Sequence, residues 1–233
     1  MIDNKFRLKI ENIEIKIQKH GEHDQSTHGA WATGAGTPIP VNPNSFVEDV
    51  FPKDFYTQLT DKEITGVANY QLTGYLAINR FLRDSTYKNP GGMETSSENM
   101  PKIIEAIDSA IAKAPEVIPD NSAVFRVVDV GFFEETQVGS IITDKGYTST
   151  TMRDLSKMSS AEYKQYENAG KTLVRIDLGD KKSGLAINSI HQNTNKVELN
   201  TLQEREFLLP RNTQFEYAGY DDENQVYVLR RKN

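Results

Sequence analysis

At 233 residues the chain fits one domain of enzyme size plus a tail, long enough to bury a substantial core. A formal net charge of −6, from 27 Lys and Arg against 33 Asp and Glu, argues against broad binding to a phosphate backbone, so no nucleic-acid partner is expected. With no cysteine, the chain has no disulfide framework, no thiolate zinc site and no cysteine nucleophile, and its chemistry must use oxygen, nitrogen or a bound cofactor.

The start, Met1-Ile2-Asp3-Asn4-Lys5, lacks the apolar run of a secretory signal, and no segment approaches the roughly 20 apolar residues of a membrane span. A soluble chain made in the cytoplasm of the producing cell is expected, without a membrane partner. Carriage in a virion or delivery into a host cell would leave no trace at this level. Residues 6–17 alternate apolar and charged side chains in places, as a half-exposed strand would. A polar stretch with His20, His23 and His28 follows, then a run rich in Gly, Pro and Thr to Pro43. This composition suits a linker, so residues 1–44 read as an arm, partly ordered at most and dispensable for chemistry. The three histidines lack a spacing that would hold them together on a helix, and no metal is expected. The stretch from Lys19 to Trp31 resembles a short segment of head-associated proteins of tailed bacteriophages, which hints at a phage origin.

Residues 45–233 carry the signals of a folded domain. Thr60-Asp61-Lys62-Glu63 has the capping-box pattern, and Ile64, Val67, Ala68, Leu72, Leu76 and Ile78 or Leu82 recur at three-to-four spacing. The pattern predicts a helix from there to about Arg83. Asn99 before Pro101, with Ile103, Ile104, Ile107 and Ile111 on one stripe, predicts a second helix that ends before Pro115. Short β-rich runs follow at 123–129, 146–151, 172–178, 185–187, 206–209, 215–220 and 225–230, the last two forming a terminal hairpin. Helices first and strands afterwards predict an α+β domain with N-terminal helices and a mainly antiparallel, two-sheet core. Neither a Gly-rich phosphate loop nor a dinucleotide fingerprint is present.

Glu204 and Glu206 stand one residue apart before Phe207-Leu208-Leu209-Pro210, and strand alternation would aim both carboxylates to one face. Such a pair is also common as mere surface charge. Arg126 interrupts the apolar run Val124-Phe125-Arg126-Val127-Val128; its planar fork suits a diphosphate, and a structural ion pair would explain it equally well. Tyr147-Thr148-Ser149-Thr150-Thr151 is rich in hydroxyls, as an edge strand pairing Thr with Thr would be.

The order of these elements, together with Tyr75, Asn79 and Arg83 four apart on one helix, resembles the arginine-specific class of bacterial ADP-ribosyltransferase toxins, with its Arg, Ser-Thr-Ser and Glu-x-Glu pattern. The likeness spans residues 46–233. Thr151 departs from it by taking the place of the last Ser, and the polar segment 152–171 is long for the family loop that closes on phosphate and nicotinamide. Arg153, Lys164 and Tyr166 are candidates there.

The resemblance implies cleavage of the nicotinamide–ribose bond of NAD and transfer of ADP-ribose to an arginine of an unidentified protein, as a toxin or a phage effector. It implies Glu206 on the ribose, Ser149 holding Glu206, Arg126 on the phosphates, Tyr75 and Asn79 on the adenosine side, and Glu204 as the base for the incoming guanidinium. Residues 193–203 match the family's target-recognition loop in position. NAD hydrolysis by water, and a non-enzymatic virion protein keeping the fold, are the alternatives.

Overall fold

The computed structural model describes residues 37–38, 51–88, 96–187 and 205–233. The strand expected over 6–17, the three N-terminal histidines, Glu204 and the 193–203 loop lie outside the described residues.

A short helix that the sequence pattern did not indicate, α1 (Lys53–Thr57), opens the domain and sets Phe55 and Tyr56 against Phe51, with ring centroids 5.1 to 6.3 Å apart. Helix α2 (Asp61–Asn69) then begins at the expected capping box: Thr60 Oγ1 accepts from the Glu63 amide at 3.3 Å, and Glu63 Oε2 accepts from the Thr60 amide at 2.7 Å. The Glu63 carboxylate does more than cap. It also accepts from Ser109 Oγ at 2.6 Å and Lys113 Nζ at 2.9 Å, both on α4 (Met100–Lys113), so one buried carboxylate joins two helices. Burial pushes the Glu63 carboxyl up, but the bonds from Lys113, Ser109 and Thr60 outweigh it and bring its pKa from 4.5 to about 2.

A folded-state pKa below the unfolded one stabilises the fold above pH 4.5, and that contribution fades as pH falls toward 2. Glu63→Gln should therefore cost about 1–3 kcal/mol at neutral pH. Urea unfolding at pH 7 and at pH 3 should show the gap between wild type and variant narrowing at the lower pH, and an equal gap at both would mean that the ionised carboxylate is not what ties the helices.

The helical run expected from 60 to 83 is continuous but not uniform. After α2 it widens into a π-helical turn, Tyr70–Gly74, and resumes as α3 (Tyr75–Arg83). Gly74 permits the wide turn, since a Cβ there would lie 2.4 Å from the Asn69 carbonyl oxygen. The turn re-phases the helix: Ile78, Asn79 and Arg83 become buried, while Leu76, expected on the apolar stripe, is 55% exposed. In α4, Pro101 stands in the first turn as expected, whereas Asn99 makes no side-chain capping bond.

Nine strands are described: β1 (Thr37–Pro38), β2 (Ser122–Asp129), β3 (Ile141–Asp144), β4 (Thr148–Thr151), β5 (Lys171–Gly179), β6 (Leu185–Ala186), β7 (Glu206–Leu209), β8 (Thr213–Asp221) and β9 (Val226–Arg231). They pair in the order β3-β8-β9-β5-β2-β4-β7-β6, with β1 added to β2. All pairings are antiparallel except β5 with β9 and β1 with β2, as the mainly antiparallel reading requires. The hairpin β8–β9 is present, and β3 is a strand the sequence reading missed. Thr37 and Pro38, inside the stretch read as an arm, pair with Ser122 and Ala123.

The path is nearly cut at one point. β2 is registered with β5 along its whole length but with β4 only at Phe125↔Thr151, so the described strands divide into a larger group and a smaller group, β4-β7-β6. Consecutive strands β3 and β4 lie on opposite sides of this division, since β3 pairs with β8 and β4 with β2 and β7. The chain crosses between the groups at Lys145-Gly146-Tyr147. One large apolar cluster contains Val124, Val128, Ile142 and Tyr147, and a second contains Phe125, Val127, Leu155 and Leu173, which puts alternate residues of β2 in different cores.

Candidate functional site

β4 and β7 run antiparallel with Ser149 opposite Leu208 and Thr151 opposite Glu206, so Ser149 and Glu206 are diagonal neighbours on one face. Both are buried, and Ser149 Oγ donates to Glu206 Oε1 at 2.6 Å. The neighbouring hydroxyls have other work. Thr150 Oγ1 donates to the Phe207 carbonyl at 2.5 Å, and Thr151 Oγ1 accepts from the Arg153 amide at 3.1 Å, a bond that either Ser or Thr can make. β4 lies between β2 and β7, so it is not the edge strand that the cluster of hydroxyls could have signified.

Arg126 enters the site where β2 and β4 part. The next rung after Phe125↔Thr151 would set Val127 against Ser149, but the Ser149 carbonyl accepts instead from Arg126 Nη1 at 3.2 Å. Arg126 is 3% exposed, and its Nε and Nη2 have no hydrogen-bond partner among the described residues. No carboxylate forms a salt bridge with it among the described residues. A buried guanidinium with two unanswered nitrogens is costly unless an anion completes it. Arg126, Ser149 and Glu206 thus form one connected group: guanidinium to carbonyl, hydroxyl to carboxylate.

The extended run of β7 does not continue back into Arg205. β7 begins at Glu206, and Arg205 before it has φ 46°, in the left-handed region that a side chain adopts at a cost of about 1–3 kcal/mol. Its carbonyl still accepts from the Met152 amide at 3.0 Å, which locks the turn onto the end of β4.

Asn79 reaches the same strand from behind. It is 1% exposed, its Oδ1 accepts from the Tyr147 amide at 2.8 Å, and its Nδ2 donates to Tyr70 Oη at 3.0 Å. These bonds fasten the entry to β4 onto α3. Tyr75 is half-buried and packs edge-on to Tyr70, 6.4 Å between centroids, and Tyr70 in turn packs edge-on to Tyr147 at 5.7 Å. Arg83 forms a bidentate pair with Asp144, both bonds at 2.9 Å. The Tyr147 phenol donates to Asp108 Oδ1 at 2.7 Å, and burial, with Asp108 beside it, raises its pKa.

The segment 152–171, expected to be a loop, is mostly ordered structure. A 3-10 turn, Leu155–Lys157, and helix α5 (Ser160–Asn168) cover the second apolar cluster with Leu155, Met158, Tyr163 and Tyr166. Ser159 and Glu162 form a capping box like that of α2, and the Ser-x-x-Glu spacing could have revealed it. Arg153 lies at the end of β4 with Nη2 3.1 Å from Glu162, Tyr166 packs on the second core, and Lys164 is exposed. A groove of about 620 Å³ between α2 and α4 is lined by none of Arg126, Ser149 and Glu206. No described helix is long and apolar enough to cross a membrane, and no group of three or more Asp, Glu or His is placed to hold a metal among the described residues.

Solved ADP-ribosyltransferase toxins have a similar fold. The chain is similar to Vis toxin, an ADP-ribosyltransferase from Vibrio splendidus, at 16% identity over 80% of this chain and 83% of that one, with a TM-score of 0.54. It is similar to the Clostridium limosum C3 exoenzyme at 18% identity, 78% and 96% coverage and a TM-score of 0.53. C3stau2 from S. aureus, solved with NAD, gives 18% identity, 76% and 88% coverage and a TM-score of 0.53. No curated protein matches in sequence. The family model for ADP-ribosyltransferase exoenzymes matches residues 49–231, and the chain belongs to that family.

Proposed function

We propose that this protein is a mono-ADP-ribosyltransferase that cleaves the nicotinamide–ribose bond of NAD and passes ADP-ribose to an arginine of a target protein. The observation that carries the reading is the buried Ser149–Glu206 bond beside a guanidinium with two unanswered nitrogens. Breaking the N-glycosidic bond builds positive charge on the ribose, and a carboxylate held against the sugar stabilises that charge. Glu206 takes this role, gripping the ribose 2′-hydroxyl. Ser149 fixes the Glu206 rotamer through the 2.6 Å bond, so the charge is aimed before substrate arrives.

Arg126 takes the diphosphate. Nη1 is tethered to the Ser149 carbonyl, so phosphate binding and carboxylate placement share one strand. Tyr75 and Asn79 contribute to the adenosine side, and Asn79 also holds the entry to β4. The preference for arginine rests on the Glu-x-Glu pattern: a guanidinium becomes nucleophilic only as it loses a proton, and Glu204 supplies the base. A toxin delivered into a host cell fits the family, and the phage-like segment at 19–31 suggests a phage effector as its source.

The test supplies NAD labelled in the adenylate, a host lysate and, separately, agmatine, which is seen bound to Vis in one of its structures. Label on protein arginine and on agmatine is expected. Free ADP-ribose alone would make the protein an NAD glycohydrolase. Arg126→Lys keeps the charge and loses the planar fork, so the Michaelis constant for NAD should rise by about tenfold or more. An unchanged constant would make Arg126 a structural residue.

A further inference from the structure

Two buried arginines, Arg83 and Arg126, stand near one buried carboxylate, and only one of them is bonded to it. Asp144, at the end of β3, is 1% exposed. Its two oxygens accept four bonds: from Arg83 Nε and Nη2, both at 2.9 Å, from the Gly146 amide at 2.9 Å and from Thr148 Oγ1 at 2.8 Å. A carboxylate offers about four lone-pair sites, so Asp144 is saturated. Arg126, Asp144 and Thr148 line the same void of about 20 Å³, whose other walls are apolar. In such surroundings opposite charges attract far more strongly than in water, and an unsaturated Asp144 would draw the free nitrogens of Arg126 toward itself.

We propose that Arg83 is a positioning residue that occupies Asp144 and thereby keeps the Arg126 guanidinium available to the diphosphate of NAD. The inference rests on the diphosphate role given to Arg126 above. Gly146 bears on it independently. A Cβ at this residue would lie 3.0 Å from both Nε and Nη2 of Arg83 and 2.6 Å from Asn79 Oδ1, so the backbone makes room for the fork to reach Asp144. Without Arg83, two lone-pair sites and an uncompensated negative charge would face Arg126 across the void. Arg126 would then spend most of its time bonded to Asp144, and the affinity for NAD would fall by the fraction of molecules so trapped.

The test measures NAD dissociation constants by calorimetry, with steady-state kinetics and thermal unfolding, for Arg83→Gln, Asp144→Asn and the double variant. Arg83→Gln should weaken NAD binding roughly tenfold, with kcat at saturating NAD changed far less. Asp144→Asn should hold the constant within about twofold even though it unsettles the fold more, because Asp144 also anchors Gly146 and Thr148. The double variant should bind like Asp144→Asn. A merely structural ion pair predicts instead that both single variants lose affinity together, Asp144→Asn the more severely, and that result overturns the proposal. Should Arg83→Gln fail to fold, Arg83→Lys frees one oxygen of Asp144 and should give the same asymmetry at about threefold. If Arg126→Lys leaves the Michaelis constant unchanged, the diphosphate reading falls and this inference with it. If Arg126→Lys raises it while Arg83→Gln does not, only this inference falls.

Discussion

Glu206→Gln should abolish NAD hydrolysis and ADP-ribose transfer together, with a loss on the order of 10² or more in the rate of each. In the proposed mechanism both reactions pass through the same ribose cation, and the substitution removes the negative charge assigned to face it. The fold should tolerate the change. Gln keeps an acceptor oxygen for Ser149 Oγ, it is nearly isosteric, and the flanking Phe207-Leu208-Leu209 stay packed in the main core. Thermal unfolding should therefore match that of the wild type, and NAD should still bind, because Arg126 is untouched. If hydrolysis persists in a folded Glu206→Gln protein, another group stabilises the cation and the Ser149–Glu206 bond is structural.

Which parts of this site were legible in the sequence follows from the range of each interaction. The helix start at Thr60 was readable because a capping box is local, three residues across. The same signal at Ser159 went unused: α5 buries no side chain fully, so no apolar stripe drew attention to it. β3 was missed because four residues, Ile141 to Asp144, are too few to establish alternation and precede a glycine turn. Ser149 and Glu206 were readable as members of an ordered pattern. Their contact, 57 residues apart in sequence, was not. The pair Arg83–Asp144 spans 61 residues, and no residue type near Asp144 announces that one carboxylate will be filled by four donors. Nor could the pleat argument for Glu204 and Glu206 anticipate a left-handed Arg205, since a β-region dihedral is the default for a non-glycine residue beside a strand.

The proposed roles of the two glutamates fall on different halves of the reaction, and the difference should appear in their chemistry. Glu206 belongs to β7, bonded to β4; Arg205 breaks the extended run immediately before it. Glu204→Gln should therefore leave the ribose side of the reaction intact and remove only the base that deprotonates the incoming guanidinium. Transfer to protein arginine and to agmatine should fall by about 10² to 10⁴. Hydrolysis by water should largely survive, because the role proposed for Glu206 on the cation is kept and water does not need the same deprotonation before it attacks. Measuring free ADP-ribose and acceptor-bound label in one reaction gives both rates from a single folded sample, so a general loss of protein cannot mimic the split. Collapse of hydrolysis in Glu204→Gln to the level of Glu206→Gln would place both carboxylates on the ribose. Undiminished transfer would mean that the arginine loses its proton elsewhere, and the arginine preference would then need another source.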